Sequence, residues 1–331
     1  MVKDKSLEIN SSYALGPLPW KEEDLRKAYF SDFIRTSKAI EEHPGFLAHQ
    51  VLKSIRLSLD IFLDSTSDLM KSIDLFIEES GIPGFWARPK KEQFNRLELS
   101  IRRGVFSTLT SAMSLVDSSR NISRIIILPD YQLRIRNTFK NSEEHTFIKD
   151  LRNFISHCRM IEVDWKVSWS REGKHTQFLL EPEKLLCWNG WKPLTRKFIK
   201  ESLDGIDLKI LFGDYKTRVE KFHFWFHASI EKLAQPELSE YRRCERLLNK
   251  FAFKSFWDVM FQQVIRNEKI NPYQYLGYYL NKSELDEVLL LPMNSQIQVD
   301  RIIEILDEYC VCDVELRHLI YAAFNVQKPF K

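Results

Sequence analysis

The segment KKEQFNRLELSIRRGVFSTLTSAMSLVDSS, residues 90–119, decides the fold class of this chain. Its apolar side chains recur at steps of three and four residues, at Leu97, Ile101, Val105, Leu109, Met113 and Val116. Such steps place one narrow apolar stripe along a long helix, which is typical of a helical bundle. The sequence therefore predicts a mainly α protein.

Helical spacing continues on both sides of this segment. We predict further helices over residues 22–42, 46–79, 142–157, 194–203 and 216–233, of which the second is one bent helix or two. Ser142 is a candidate N-cap residue for the helix that ends near His157. Residues 125–134 are rich in β-branched side chains, which favours a strand or an extended connector there.

One stretch departs from helical spacing. Apolar residues alternate with polar ones from Ile161 to Trp169, and Gly173 follows where a turn is expected. The alternation returns over residues 177–180. This pattern predicts a β-hairpin over residues 160–181, inserted in the helical bundle.

The predicted organisation has three parts. Residues 1–20 form an N-terminal tail, because Pro17 and Pro19 prevent a helix there. Residues 21–235 form the helical bundle with its hairpin. The Gln235-Pro236 dipeptide marks the boundary to a smaller helical C-terminal region, residues 236–331.

Composition excludes several classes of protein. The 331 residues are 44% hydrophobic and 29% charged with a net charge of +3, which excludes a disordered chain and a globally cationic nucleic-acid coat. The five cysteines form no CxxC pair, and the sequence has neither a signal peptide nor an apolar run of membrane length. We therefore expect a soluble, cytoplasmic protein without a membrane partner.

The hexapeptide Arg152-Asn153-Phe154-Ile155-Ser156-His157 carries the strongest chemical signal. At about 100° per residue, its polar side chains lie on the arc of the helix opposite the apolar face. An imidazole transfers protons near neutral pH, a guanidinium binds phosphate charge, and an amide orients either group. Because RNA carries its own nucleophile, the 2′-hydroxyl, this set requires neither a metal nor a cofactor.

This R-N-x-x-x-H string resembles the motif of the HEPN superfamily, R-x(4–6)-H with a polar residue favoured after the arginine. The resemblance implies a helical bundle over roughly residues 22–233 and a metal-independent endoribonuclease of toxin–antitoxin or anti-phage systems. It further implies Arg152, Asn153 and His157 as catalytic residues, RNA as substrate, a homodimer that pairs two motifs, and an antitoxin or regulatory protein as a further partner. The hairpin directly after the motif helix departs from the family pattern, and the C-terminal region lies outside the resemblance.

Other interpretations of these residues stay open. An arginine and a histidine near a helix C-terminus also stabilise the helix dipole, so the same helix fits a non-catalytic module that binds RNA or a partner protein. A second R-x-x-x-x-H spacing, Arg218 to His223, lies among aromatic residues, which favours a core or interface segment.

Two patterns mimic metal sites. Pro129-Asp130 with Asp164-Trp165-Lys166 imitates the PD-(D/E)xK pattern of Mg²⁺-dependent nucleases, although a whole helix separates the two parts. Glu220, His223 and His227 have the spacing of metal ligands on one helix face, but their aromatic neighbours favour core histidines.

Basic residues cluster at four places that would line a path for RNA. These are residues 88–91, 102–103, 134 with 136, and 242–243. Trp86 and Tyr131 lie next to two of them and would stack on bases.

Overall fold

The structure is a computed structural model that describes residues 15–82, 84–139, 143–157, 164–170, 173–267 and 270–326. Its elements in chain order are α1 (Glu22–Ser31), α2 (Phe33–Glu41), α3 (Phe46–Glu79), α4 (Lys91–Ile125), α5 (Tyr131–Phe139), α6 (Glu143–His157), β1 (Asp164–Ser170), β2 (Gly173–Leu180), α7 (Pro182–Leu186), α8 (Pro193–Glu201), β3 (Ile206–Asp207), α9 (Leu208–Leu233), α10 (Glu237–Arg266), α11 (Leu276–Tyr279), α12 (Lys282–Leu289), α13 (Gln296–Leu306) and α14 (Val314–Ala323). Short 3-10 helices lie at Arg88–Lys90 and Pro272–Tyr275. The mainly α class with a small sheet is confirmed.

These elements form two compact units. The bundle unit, residues 47–235, contains α3 to α9 and the sheet. The terminal unit contains residues 15–46 and 236–326. The sequence grouped residues 21–46 with the bundle, whereas in the structure α1 and α2 pack against α10. The reason is an apolar cluster that joins Leu25 and Ile40 to Tyr241 and Phe251.

The predicted tail is described from Leu15 onward. Trp20 is buried in the same cluster, and its backbone N–H donates a hydrogen bond of 3.1 Å to Glu240 Oε1. Residues 1–14 of the predicted tail lie outside the described residues.

Helix α4 carries the predicted apolar stripe to the core of the bundle unit. Ile101, Val105 and Leu109 are buried against residues of α3. The two helices come closest at Gly104, where a Cβ would lie 3.1 Å from the Leu69 Cα. Thr108 Oγ1 donates to the Ser65 carbonyl over 3.1 Å beside this point. A glycine therefore allows the two helices to approach this closely without displacing Leu69.

The predicted hairpin is confirmed over residues 164–170 and 173–180, where β1 and β2 pair antiparallel. Residues 160–163 of the prediction lie outside the described residues. The sheet has a third strand, because β3 pairs with the end of β2 and places Leu180 opposite Ile206. The Asp207 side chain then accepts hydrogen bonds from the backbone of Lys209 and Ile210, so this last strand residue also caps α9.

Two of these local predictions differ from the structure. Residues 22–42 form two helices, since Asp32 leaves the helical conformation and its side chain caps α2 by accepting from Arg35 N at 2.9 Å. Of the two alternatives predicted at 125–134, the strand is wrong and the connector is confined to residues 126–130, because α4 runs to Ile125 and α5 begins at Tyr131. Residues 46–79 form a single helix. Ser142, the candidate N-cap, lies outside the described residues.

The terminal unit has its own core. Residues of α10, α11, α12, α13 and α14 pack around Val288, Val299 and Leu316. None of the helices in the described part of the chain is long and apolar enough to cross a membrane.

Candidate functional site

Helix α6 packs one face against the bundle unit and leaves the other accessible. Phe147, Ile148, Leu151, Phe154 and Ile155 are buried, at the helical spacing that the sequence predicts. This face lies against α4 and α8. Packing of these side chains therefore fixes the rotation of the helix and the direction of its polar residues.

The polar residues of the motif lie on the accessible side of α6. Arg152 and Asn153 are half-buried, while Ser156 and His157 are exposed. His157 lies in the last turn of the helix. The imidazole is thus accessible to a bound strand, as general acid–base catalysis requires.

Asn153 lies beside Arg152 and is hydrogen-bonded to it. Arg152 Nη1 donates a hydrogen bond of 3.4 Å to Asn153 Oδ1. Residues four apart are neighbours on a helix surface, so Asn153 and His157 lie on one stripe. Residues five apart differ by about 140° around the axis, so Arg152 and His157 do not lie on one stripe.

Arg152 retains unused hydrogen-bonding capacity. Its Nε is buried and has no hydrogen-bond partner in the described part of the chain. A guanidinium carries five N–H donors in a fixed fork, and phosphate oxygens accept from two of them at once. Because the Nε is shielded from solvent, the terminal Nη groups of this half-buried side chain are the donors that a phosphate would meet.

Asp150 anchors the motif helix to α8. It is buried, and Oδ2 accepts from Thr195 Oγ1 at 2.7 Å while Oδ1 accepts from Lys192 Nζ at 3.0 Å. Sequence reasoning missed this residue. The available signal was its place three residues after Phe147 and four before Phe154, since a carboxylate on a buried face needs partners.

Tryptophan side chains support the C-terminal half of α6. Phe154 lies 5.3 Å from the ring of Trp191 and 5.2 Å from that of Trp188. The two indoles meet edge to face at 4.7 Å, and Trp191 Nε1 donates to the Leu185 carbonyl at 2.7 Å. This aromatic packing makes the end of α6 a rigid base for the Arg152–Asn153 pair.

The segment of α9 that carries the second R-x-x-x-x-H spacing packs in the core, as its aromatic neighbours predict. His223 is only 4% exposed, and Val219 and Phe222 beside it are buried. Arg218 forms an ion pair with Glu144 at 3.0 Å. Burial lowers the pKa of His223 to about 4, so its imidazole is neutral at pH 7.

The two metal-like patterns lack the geometry of a metal site. Asp130 precedes a helix instead of ending a strand, and the Asp164 carboxylate is paired with Lys184. His223 is buried in the core while Glu220 is exposed. Among the described residues, no three His, Cys, Asp or Glu side chains lie close enough to hold a metal ion.

One of the two aromatic residues proposed for base stacking is exposed. Trp86 is 52% exposed and stacks on Trp165 with a ring distance of 6.0 Å and an angle of 26°. The 3-10 helix Arg88–Lys90 follows it directly, and its two basic side chains are exposed. Tyr131, by contrast, is buried, so its predicted role in stacking on bases is wrong.

The other basic clusters are partly engaged within the protein. Arg102 pairs with Glu98 at 2.7 Å, and Arg243 pairs with Glu240 at 2.7 Å. The Arg134 guanidinium lies over the ring of Trp225 at 5.6 Å. The cluster beside Trp86 therefore offers the most accessible charge of the four.

Comparisons with protein-family models, with curated proteins and with solved structures find no match to this chain.

Proposed function

We propose that this protein is a metal-independent endoribonuclease that cleaves single-stranded RNA with Arg152, Asn153 and His157. The observation that supports this proposal best is the exposed His157 imidazole one helical turn from the Arg152–Asn153 pair. The resemblance to the HEPN motif supports the same assignment. It also supports the proposed setting, which is anti-phage defence or toxin–antitoxin growth arrest in the cytoplasm, with an antitoxin or regulatory protein as partner.

The proposed reaction uses the nucleophile of the RNA itself. The 2′-oxygen attacks the adjacent phosphorus and loses its proton, the bond to the 5′-oxygen breaks, and that oxygen gains a proton. His157 performs one of these two proton transfers. Arg152 stabilises the charge on the non-bridging oxygens, and Asn153 holds the guanidinium in place. The products are a 2′,3′-cyclic phosphate and a 5′-hydroxyl.

Each chain has one such histidine, whereas the reaction moves two protons. A homodimer that brings two copies of the motif to one cleft would supply an imidazole for each transfer. We therefore propose the homodimer as the active form.

The exposed surface around Trp86 supports RNA as the ligand. Single strands bind where aromatic rings stack on bases and cations follow the backbone. Trp86, Arg88 and Lys90 provide these groups on the bundle unit, which also carries α6.

The test is cleavage of a labelled single-stranded RNA in EDTA by the wild type, Arg152→Ala and His157→Ala. We expect each variant to lose at least about 100-fold in rate, since positioned proton transfer contributes about 10²- to 10⁴-fold and loss of one stabiliser of transition-state charge costs about 10²- to 10³-fold. Matched controls are Arg26→Ala and His318→Ala, which remove exposed side chains of the same kinds from the terminal unit. Equal rates for all five proteins, or loss of wild-type cleavage in EDTA, would contradict the proposal.

The second candidate is a module that binds RNA without cleaving it. The Trp86–Trp165 stack and its basic neighbours favour this candidate, because they require no histidine. It predicts binding of the RNA with no product and no effect of His157→Ala on affinity. The same RNA gel, together with a binding titration, separates the two candidates.

A further inference from the structure

The terminal unit contains a cavity of about 260 Å³ between α10, α11 and α13, here named the aromatic pocket. A dry cavity of roughly 150 Å³ lined by apolar side chains binds one benzene molecule. On that scale the aromatic pocket has room for about ten non-hydrogen atoms, which is the size of a fused two-ring compound. Because Arg152, Asn153 and His157 belong to the bundle unit, this pocket is a separate site.

Aromatic side chains make up much of the wall of the aromatic pocket. Trp257 and Phe261 of α10 stack with ring centres 5.4 Å apart and an angle of 19° between their planes. Trp257 also lies 5.8 Å from the ring of Tyr279, and Met260 and Phe324 line the same space. Aromatic rings and thioethers both attract the edge or face of a further ring. The wall therefore favours an aromatic ligand over an aliphatic one.

Hydrogen bonds behind the wall hold part of it in place. Tyr273 Oη donates to Oε1 of the buried Gln298 at 2.7 Å and accepts from the Asn294 backbone N–H at 3.0 Å. The Tyr273 ring then meets Phe324 edge to face at 5.1 Å and 87°. These contacts fix Phe324 and the 3-10 helix Pro272–Tyr275. Because this part of the wall is preformed, little ordering is lost when a ligand binds.

The wall favours a neutral ligand. Among the described residues, none of the side chains that line the aromatic pocket carries a charge. Burial of an ion without a partner of opposite charge is costly. A charged compound would therefore bind more weakly than a neutral compound of the same shape.

Tyr279 gives the aromatic pocket an accessible polar group. Its side chain is 45% exposed, so the hydroxyl lies where the pocket opens to solvent. The hydroxyl donates to Met260 Sδ at 3.8 Å, and the phenol oxygen has lone pairs that accept hydrogen bonds. An N–H donor on the ligand would bind to this oxygen without displacing a charged partner.

We propose that the aromatic pocket binds a neutral fused-ring compound of the indole class, whose rings pack against Trp257 and Phe261 while its N–H donates a hydrogen bond to the Tyr279 hydroxyl oxygen. Indole is slightly smaller than the available volume. Binding does not require the proposed ribonuclease activity, so the two proposals are tested separately.

The test is a calorimetric titration of the full-length protein with indole, 1-methylindole and indole-2-carboxylate. We expect saturable 1:1 binding of indole with a Kd below about 1 mM, as for a small ligand in a preformed apolar pocket. 1-Methylindole should bind about threefold more weakly or less, because it lacks the N–H donor. Indole-2-carboxylate should bind at least about tenfold more weakly, because its charge would have no partner in the pocket.

A bulky substitution assigns the binding to the aromatic pocket. Val264 is a half-buried residue of its wall, and Val264→Trp should fill the space and raise the Kd for indole above about 10 mM. The matched control is Val259→Trp on the same helix, where the side chain is 59% exposed and does not line the pocket. This control should bind indole like the wild type.

Removal of one hydroxyl tests the hydrogen bond and does not depend on the folding of Val264→Trp. Tyr279→Phe should weaken indole binding by about threefold and leave 1-methylindole binding unchanged. Tyr278→Phe is the matched control, because Tyr278 is 84% exposed and lies outside the wall. It should leave the affinity for both compounds unchanged.

Four results would overturn the proposal. These are absence of indole binding up to about 10 mM, indole binding that Val264→Trp leaves unchanged, equal affinity for indole and indole-2-carboxylate, and tighter binding of N-acetyl-tryptophanamide than of indole. The last result would assign the pocket to a tryptophan side chain of a partner protein.

Discussion

The helices α6 and α9 carry the same arginine–histidine spacing and use it in opposite ways. On α6, Asn153 follows the arginine and His157 is exposed. On α9, Val219 follows the arginine and His223 is buried among aromatic rings. The spacing is therefore compatible with both a surface group and a core group. The residues between and around the arginine and the histidine decide whether the pair lies on the surface or in the core.

The largest expected difference between the two helices is in catalysis. His157→Gln should lower the rate of RNA cleavage by at least about 100-fold, because glutamine cannot transfer a proton at neutral pH. His223→Gln should leave the rate per folded molecule within about threefold of the wild type, because its imidazole is not accessible to RNA. Initial rates on one RNA substrate, corrected for the folded fraction by circular dichroism, measure both values. Similar losses of cleavage rate in the two variants would contradict the assignment of catalysis to His157 rather than His223.

The helices also differ in how they are anchored. Asp150 of α6 is buried and binds Thr195 and Lys192, so Asp150→Ala leaves the buried Thr195 hydroxyl without its acceptor. We expect a loss of about 2 to 3 kcal/mol in the free energy of unfolding. Urea denaturation followed by tryptophan fluorescence measures this loss. Asp214→Ala, at an exposed position of α9, is the control and should change stability by less than about 0.5 kcal/mol.

Acidic pH should destabilise the folded protein through His223 of α9. Burial lowers the pKa of His223 from 6.5 to about 4, so the unfolded chain binds more protons than the folded protein between these values. Stability is therefore complete above pH 6.5 and falls as the pH is lowered towards 4. From pH 7 to pH 5 the expected loss is about 2 kcal/mol for this histidine.

The pKa of His145, on α6, is lowered to about 4 as well, mainly by burial, so this residue contributes in the same direction. The free energy of unfolding, measured by urea denaturation, should thus fall steeply from pH 7 to pH 5. His223→Gln should remove about half of this fall. A variant that keeps the full dependence would show that His223 is hydrated in the folded protein.

The smallest expected effect concerns the arginine of α9. Arg218 and Glu144 form a partly exposed ion pair, and such pairs contribute at most about 1 kcal/mol. Arg218→Met should therefore lower the free energy of unfolding by no more than that and leave RNA cleavage unchanged. Arg152→Met should have a similarly small effect on stability but a large effect on cleavage. Parallel urea and cleavage measurements on the two variants test this contrast.

Periodic features of the fold could be predicted from sequence because they depend on local spacing. The stripe on α4 and the alternation at the hairpin are examples. The break at Asp32 could not, since the choice between continuing a helix and capping a new one depends on small local differences. The β-branched residues at 125–127 favour a strand locally, but Ile125 is the last residue of α4 and residues 126–127 lie in the short connection to α5.

In the candidate site, too, some features could be predicted from the sequence and others could not. The exposed arc of α6 could be predicted from residue positions on a helical wheel. The hydrogen bond between Asp150 and Thr195 joins residues 45 positions apart, and only the folded packing of α6 on α8 brings them together.

Asp207 belongs to the sheet and, through its side chain, to the first turn of α9. The strand thus passes into the helix with no loop between them to absorb a displacement. A displacement of β3 would therefore move the first turn of α9 with it.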